Sequence, residues 1–299
     1  MLRCCLHKSK DFMNYAKFNL LSFSLFASLT YGSEETFEIS TKLVPNSVMV
    51  SVVTPPVFEL EKDENHLIVW LHGGGQDNSY LNRELKPVLE KFWAKNDLSS
   101  LIVAVPSARR SFYMDYKDGS EKWETFIMEE LIPHLREKYR LKTEAKTLIG
   151  GYSMGGMGSL RMAFKYPEKF GAIAAIAPAI EPAYQFVKVK SIDREYRSDE
   201  IYEEKFGNPI DHKYWRINHP PSIARKNADL IESSGLRIYF EVGGDDELGL
   251  DRGAYFLHRT LLKNEVSHEY RRVLAAGHSD GTLNARLADA FAFLKRIGY

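Results

Sequence analysis

Lys146-Thr-Leu-Ile-Gly-Gly-Tyr-Ser153-Met-Gly-Gly-Met-Gly-Ser-Leu-Arg-Met-Ala-Phe164 reads as a strand, a sharp turn and a helix, with a serine at the turn. A side chain at Gly151 or Gly155 would collide with the neighbouring backbone in so tight an elbow, while Gly156 and Gly158 let the helix approach the sheet. A bare Gly-x-Ser-x-Gly string arises by chance in roughly one chain in ten of this length. Its weight therefore comes from what surrounds it.

On both sides of the elbow, short β-branched runs alternate with longer amphipathic stretches. That rhythm predicts an α/β fold: a mostly parallel central sheet with helices on both faces. Strands are expected at Val48–Val53, Leu67–Leu71, Leu101–Val105, Thr147–Gly150, Ala172–Ala177, Arg237–Val242 and His268–Val273. Helices are expected near 81–95, 121–138, 154–165, 252–264 and 281–297. In the second of these, Phe126, Ile127, Leu131, Ile132 and Leu135 form the stripe that a helix buries against a sheet. The stretch 181–221 breaks the rhythm with charge and aromatics, and reads as a cap-like insertion or a long surface excursion. Residues 33–299 are expected to form one domain, which a chain of 299 residues can support on a single core.

A serine hydroxyl is a weak nucleophile and needs a histidine as base, oriented in turn by a carboxylate. Both residue types follow in loops at the carboxyl ends of expected strands, where an open parallel sheet puts its site. Arg237-Ile-Tyr-Phe-Glu-Val242 runs into Gly243-Gly-Asp-Asp-Glu247, and the last expected strand runs into Ala275-Ala-Gly-His278. The catalytic candidates are thus Ser153, His278 and either Asp246 or Asp245, in the chain order of the α/β-hydrolase fold. Leu67-Ile-Val-Trp-Leu71 leads into His72-Gly-Gly-Gly75, a glycine run whose amides can face a developing oxyanion. Gly74 is favoured as that donor with Gly75 the alternate, and the amide of Met154 would be the second donor. His72 reads as a structural support of this loop.

The first 32 residues differ from the rest. Arg3, Lys8, Lys10 and Lys17 precede the apolar run Phe18–Ala27, and Thr30 and Gly32 are small enough for a cut near Ser33. This reads as a cleaved signal peptide, with Met1 or Met13 as the start, and predicts a secreted or periplasmic protein. The apolar run is too short for an ordinary membrane span, so no stable membrane insertion is expected. Cys4 and Cys5 are the two cysteines, so no disulfide or cysteine metal site is expected after cleavage. No metal or other cofactor constellation is evident. Forty basic against forty acidic residues, without a long basic block, leave no electrostatic footprint for nucleic acid.

With these motifs assembled, the chain resembles the putative-esterase family, which includes feruloyl and acetyl xylan esterases, S-formylglutathione hydrolases and mycolyltransferases. The resemblance runs from about Val44 to Leu294. It rests on Leu71-His-Gly-Gly, Val105-Pro-Ser, Phe112-Tyr-Met-Asp115, Trp123-Glu-Thr-Phe-Ile-Met-Glu-Glu-Leu-Ile-Pro-His134, Gly151-Tyr-Ser-Met-Gly-Gly, Tyr166-Pro and Gly277-His. It implies Gly74 as the oxyanion donor and Asp246, three residues after Gly243, as the carboxylate. Where the family often has Ser-Gly-Ala after the sixth strand, this chain has Ala177-Pro-Ala-Ile-Glu-Pro182.

The expected function is hydrolysis of carboxylic esters through an acyl-enzyme, on a small-molecule or polysaccharide-linked ester such as an acetyl or feruloyl ester. Gly75, Tyr113, Asp115 and Trp123 are candidates for contacts with substrate, the last three on the leaving-group side, although an aromatic after a strand often serves packing. An acyltransferase would share the same triad, as would a prolyl-oligopeptidase-type peptidase. A non-catalytic carbohydrate-binding protein on this scaffold would normally lack a triad member.

Overall fold

The computed structural model describes residues 32–60, 65–142 and 145–299. Apart from Gly32, the expected signal peptide lies outside the described residues. Eight strands, β1 (Glu34–Ile39), β2 (Val48–Val53), β3 (His66–Leu71), β4 (Leu101–Pro106), β5 (Thr147–Tyr152), β6 (Phe170–Ile176), β7 (Arg237–Gly243) and β8 (Glu269–Val273), make one sheet in the order β1-β2-β4-β3-β5-β6-β7-β8. β2 runs antiparallel to β1 and β4, and the remaining pairs are parallel. With helices on the two faces, this is the α/β-hydrolase fold.

The composition of the strands explains their places. Leu101-Ile-Val-Ala-Val-Pro106 and Phe170-Gly-Ala-Ile-Ala-Ala-Ile176 are buried at every position, the signature of a parallel sheet covered on both faces. β1, with the sequence Glu-Glu-Thr-Phe-Glu-Ile, alternates between exposed and half-buried positions and was not among the expected strands. It is an edge strand whose polar residues hide its periodicity, and charge on such an edge discourages pairing with another chain.

The expected helices are present. α1 (Lys86–Trp93) packs near α10 (Leu283–Arg296), whose Leu287 and Phe291 share one core with Ile68 and Trp70 of β3. On the other face, α2 (Trp123–Thr125) continues through a wide-turned stretch (Phe126–Leu131) into α3 (Ile132–Lys138), and α4 (Met154–Lys165) lies alongside with α9 (Leu250–Lys263). The predicted stripe, Phe126, Ile127, Leu131, Ile132 and Leu135, is buried throughout. It shares a core with Val69 and Leu71. Alternate residues of β3 thus feed opposite cores, as the pleat requires.

Between β6 and β7 the chain forms two short 3₁₀ turns, Phe186–Lys188 and Ser191–Asp193. These are followed by α5 (Asp199–Phe206), α6 (His212–Ile217), α7 (Pro220–Lys226) and α8 (Ala228–Ser233). None of these was expected from sequence, because short helices carry too few turns to show a period. A side-chain cap starts α6: Asp211 accepts hydrogen bonds from the amides of Lys213 and Tyr214, both at 2.9 Å. The buried Glu181 carboxylate then accepts from Arg197 at 2.5 Å and from the Tyr202 hydroxyl at 2.6 Å, tying the segment to the end of β6. Among the described residues no helix is long and apolar enough to cross a membrane.

Candidate active site

The site starts at the end of the central strand β5. A Cβ on Gly155 would lie 1.9 Å from the Leu71 carbonyl oxygen, and one on Gly151 would lie 2.4 Å from the Gly155 carbonyl carbon. Side chains at these places would hold β5, α4 and β3 apart. Between the two glycines Ser153 has φ 55° and ψ −113°, a conformation that L residues rarely adopt. Its amide donates to the Ile176 carbonyl at 2.8 Å, which holds the elbow in place. Gly158 faces a different neighbour than expected: a Cβ there would meet the ring of Tyr113 at 3.1 Å, so that residue admits an aromatic and not the sheet.

The structure brings Ser153, His278 and Asp246 together. Ser153 Oγ and His278 Nε2 are 3.0 Å apart, and His278 Nδ1 and Asp246 Oδ2 are 2.9 Å apart. With Nδ1–H donating to the carboxylate, Nε2 is left to accept the serine proton. Asp246 is itself fixed, since its Oδ1 accepts from the Leu248 amide at 3.0 Å. Asp245 is exposed, and its amide is engaged with the Ala276 carbonyl at 3.0 Å.

Four further residues hold the histidine, and none was singled out from sequence. Tyr152 stacks on the His278 ring at a centroid distance of 5.0 Å and donates its hydroxyl to the His278 carbonyl at 3.0 Å. Glu247 Oε2 accepts the His278 amide at 2.7 Å. From α10, Arg286 donates to the Gly277 carbonyl at 2.7 Å, and its Nε binds both carboxylate oxygens of Glu241 at 3.1 and 3.0 Å. Both members of this ion pair are buried. One signal was available: a glutamate inside the apolar run Arg237–Val242 is a charge that must find a buried partner.

Opposite the serine, the loop after β3 is pinned by His72. Its Nδ1 donates to the Gly73 carbonyl at 2.8 Å, and its Nε2 accepts the Ala108 amide at 2.9 Å. Burial pushes its pKa down to about 4, so the ring is neutral and suits both roles. Gly74 and Met154 both line the cavity around Ser153. Met154 opens α4, so its amide has no carbonyl partner one turn earlier in the helix. Gly75 is not on the wall; it makes the turn, with φ +82°.

The cavity holds about 390 Å³. Phe112, Tyr152, Ala179, Ile201 and Leu248 give it apolar surface, while Gln76, Arg110, Tyr196, Arg197 and Ser279 add polar atoms. Tyr196, Arg197 and Ile201 come from the 181–221 segment. The proposed leaving-group contacts are elsewhere, and this corrects the sequence reading. Tyr113 is fully buried and donates its hydroxyl to the His72 carbonyl at 3.0 Å. Asp115 accepts from the Thr125 amide at 3.0 Å and from its hydroxyl at 2.7 Å, capping α2. The Trp123 indole donates to Glu121 at 2.5 Å. Each is spent on local structure, and Arg110 and Phe112 of the same loop reach the cavity instead. Among the described residues no cluster of three or more His, Cys, Asp or Glu is placed to hold a metal ion.

The profile of the family described as Putative esterase matches residues 41–294. The chain belongs to the putative-esterase family. A relative named acetyl esterase, from Caldicellulosiruptor saccharolyticus, is 29% identical over 207 residues, 66% of this chain and 73% of that protein. Among solved structures, a ferulic acid esterase superposes with a TM-score of 0.72 at 21% identity, covering 90% of this esterase-family chain and 99% of its own. An S-formylglutathione hydrolase from Agrobacterium tumefaciens gives a TM-score of 0.71 at 18% identity, over 89% and 96% of the two chains. At these identities the two structures establish the shared fold.

Proposed function

We propose that this protein is a serine esterase that hydrolyses short-chain carboxylic esters, acetyl esters in particular, through an acyl-enzyme on Ser153. The observation that carries the reading is the hydrogen-bonded chain from Ser153 Oγ through His278 to Asp246, at 3.0 and 2.9 Å. His278 Nε2 takes the serine proton as Oγ bonds to the ester carbonyl carbon, and Asp246 stabilises the imidazolium so formed. The amides of Gly74 and Met154 donate to the tetrahedral oxyanion. Collapse breaks the bond to the alkoxide, which leaves with the proton from His278. Water, deprotonated by the same imidazole, then attacks the acyl-enzyme and releases the acid.

An acetyl acyl group is favoured by the relative named acetyl esterase. Export of the protein belongs to the same reading and is supported by the composition of residues 1–32. Amino-terminal sequencing of the protein recovered outside the cytoplasm should begin at or near Ser33.

A fluorophosphonate probe should label the wild type and leave Ser153→Ala unlabelled. Across p-nitrophenyl esters, kcat/KM should be highest for acetate and fall with acyl length. Labelling that persists in Ser153→Ala would overturn the assignment of the nucleophile, and a preference for long acyl chains would overturn the acetyl reading.

A further inference from the structure

The charges around the cavity are unevenly matched, and the mismatch specifies part of the substrate. Among the described residues that line it, two are arginines, Arg110 and Arg197, and none is acidic. Arg197 is buried and its charge is answered from behind by Glu181 at 2.5 Å. Arg109, the neighbour of Arg110, has Glu121 at 3.7 Å. Arg110 has no such partner: among the described residues no carboxylate oxygen comes within 4.0 Å of its guanidinium, and it donates no hydrogen bond. Glu247 and Asp280, which accept the His278 and Gly277 amides, both at 2.7 Å, are not among the lining residues.

Arg110 also reaches the wall of the cavity that holds Ser153. Its Nη2 would lie 3.6 Å from a Cβ placed on Gly75, so the guanidinium lies against the glycine run that includes Gly74. Gln76 lines the same cavity, and its amide oxygen accepts from the Gly73 amide at 2.8 Å, which leaves its NH₂ donors for other partners. The loop that carries Arg110 is strained, with positive φ at Arg109, Phe112 and Tyr113. Fully buried Arg161 fixes that strain by donating to the carbonyls of Phe112, at 2.9 Å, and Tyr113. Strain held by buried contacts pre-orders a loop that would otherwise lose entropy on binding.

We infer that the ester hydrolysed here bears an anionic group, a carboxylate or a group of similar charge, which Arg110 binds with help from Gln76. The inference rests on the esterase reading and adds the substrate class to it. Arg110 is a specificity residue: it touches the substrate away from the reacting carbonyl and takes no part in proton transfer. A guanidinium at a cavity rim is partly solvated, so the preference is modest and weakens with salt.

Two matched pairs of esters test it and report which arm carries the charge. The first pair, 4-acetoxybenzoate against its methyl ester, puts the anion on the alcohol. The second, 4-nitrophenyl hemisuccinate against 4-nitrophenyl pentanoate, puts it on the acyl group, and an effect confined to this pair would keep the anion and overturn the acetyl reading. In one of the pairs, the anionic-to-neutral ratio of kcat/KM should fall by about tenfold in Arg110→Gln, the loss of one charge-assisted contact. Arg110→Lys should keep part of it, and about 0.5 M salt should erode it in the wild type. Ratios in both pairs that match between wild type and Arg110→Gln would overturn the inference. Absence of turnover of all four esters by unlabelled wild-type enzyme, from a preparation in which a separate sample reacts with the fluorophosphonate probe, would instead overturn the esterase reading.

Discussion

Ser153 occupies a backbone conformation that costs about 1–3 kcal/mol for a residue with a side chain. Glycine adopts it without that penalty, so Ser153→Gly should be more stable than Ser153→Ala, by about 1 kcal/mol after the entropy that glycine loses on folding. Paired urea titrations read this directly, and equal midpoints would show that the elbow carries no strain. Asp246 and Asp245 offer a second test at the same scale. Asp246→Asn should lower kcat by about 10³–10⁴-fold, because an amide cannot hold the histidine tautomer, whereas Asp245→Asn should stay near wild type. Sequence alone could not separate these neighbours by spacing. The resemblance favoured Asp246, and the geometry shows the physical difference: one side chain is buried against the ring and the other faces water.

At the scale of elements, the histidine loop is held from α10 and β7. Removing one member of the Arg286–Glu241 pair strands a buried charge, so Arg286→Ala should cost about 3–5 kcal/mol. Replacing both by methionine should restore much of that stability. It should not restore turnover, since the donor to the Gly277 carbonyl is gone. Denaturant midpoints and kcat measured on the same set of variants separate the two effects; recovery of kcat in the double variant would show that the arginine does not position the loop. The sequence disclosed elements according to how regularly they bury apolar residues. The central strands and the Phe126–Leu135 stripe were legible because burial there is strict. β1 and the helices between β6 and β7 were not, for they depend on edge pairing, on the Asp211 cap and on the tie from Glu181.

For the whole molecule, stability should depend on pH through histidines buried in the neutral form. Burial pushes both His72 and His219 down to about 4 from an ordinary value of 6.5, and it lowers His258 and His268 as well. Each binds its proton more weakly in the folded chain than in the unfolded one. Between pH 6.5 and about 4 the unfolded state therefore holds more protons, so stability is complete above that window and drains away as pH falls through it. His72 and His219 each account for about 3 kcal/mol at most. Urea midpoints should be level between pH 7 and 8 and lower at pH 5; a midpoint unchanged at pH 5 would contradict this.

Ser153 and His278 are separated by 125 positions, with β6, β7 and β8 and the segment 181–221 between them. Such a pair closes only once β8 and the loop after it have docked beside β7, so the site is complete no earlier than that edge of the sheet. Recovered turnover after dilution from denaturant is thus a clock for completed assembly. It should lag behind the return of helical signal, which α4 and its neighbours can supply before β8 has docked. On the ribosome the same order holds: the nucleophile is made first and stays inert until its base, near the end of the chain, has been synthesised and packed.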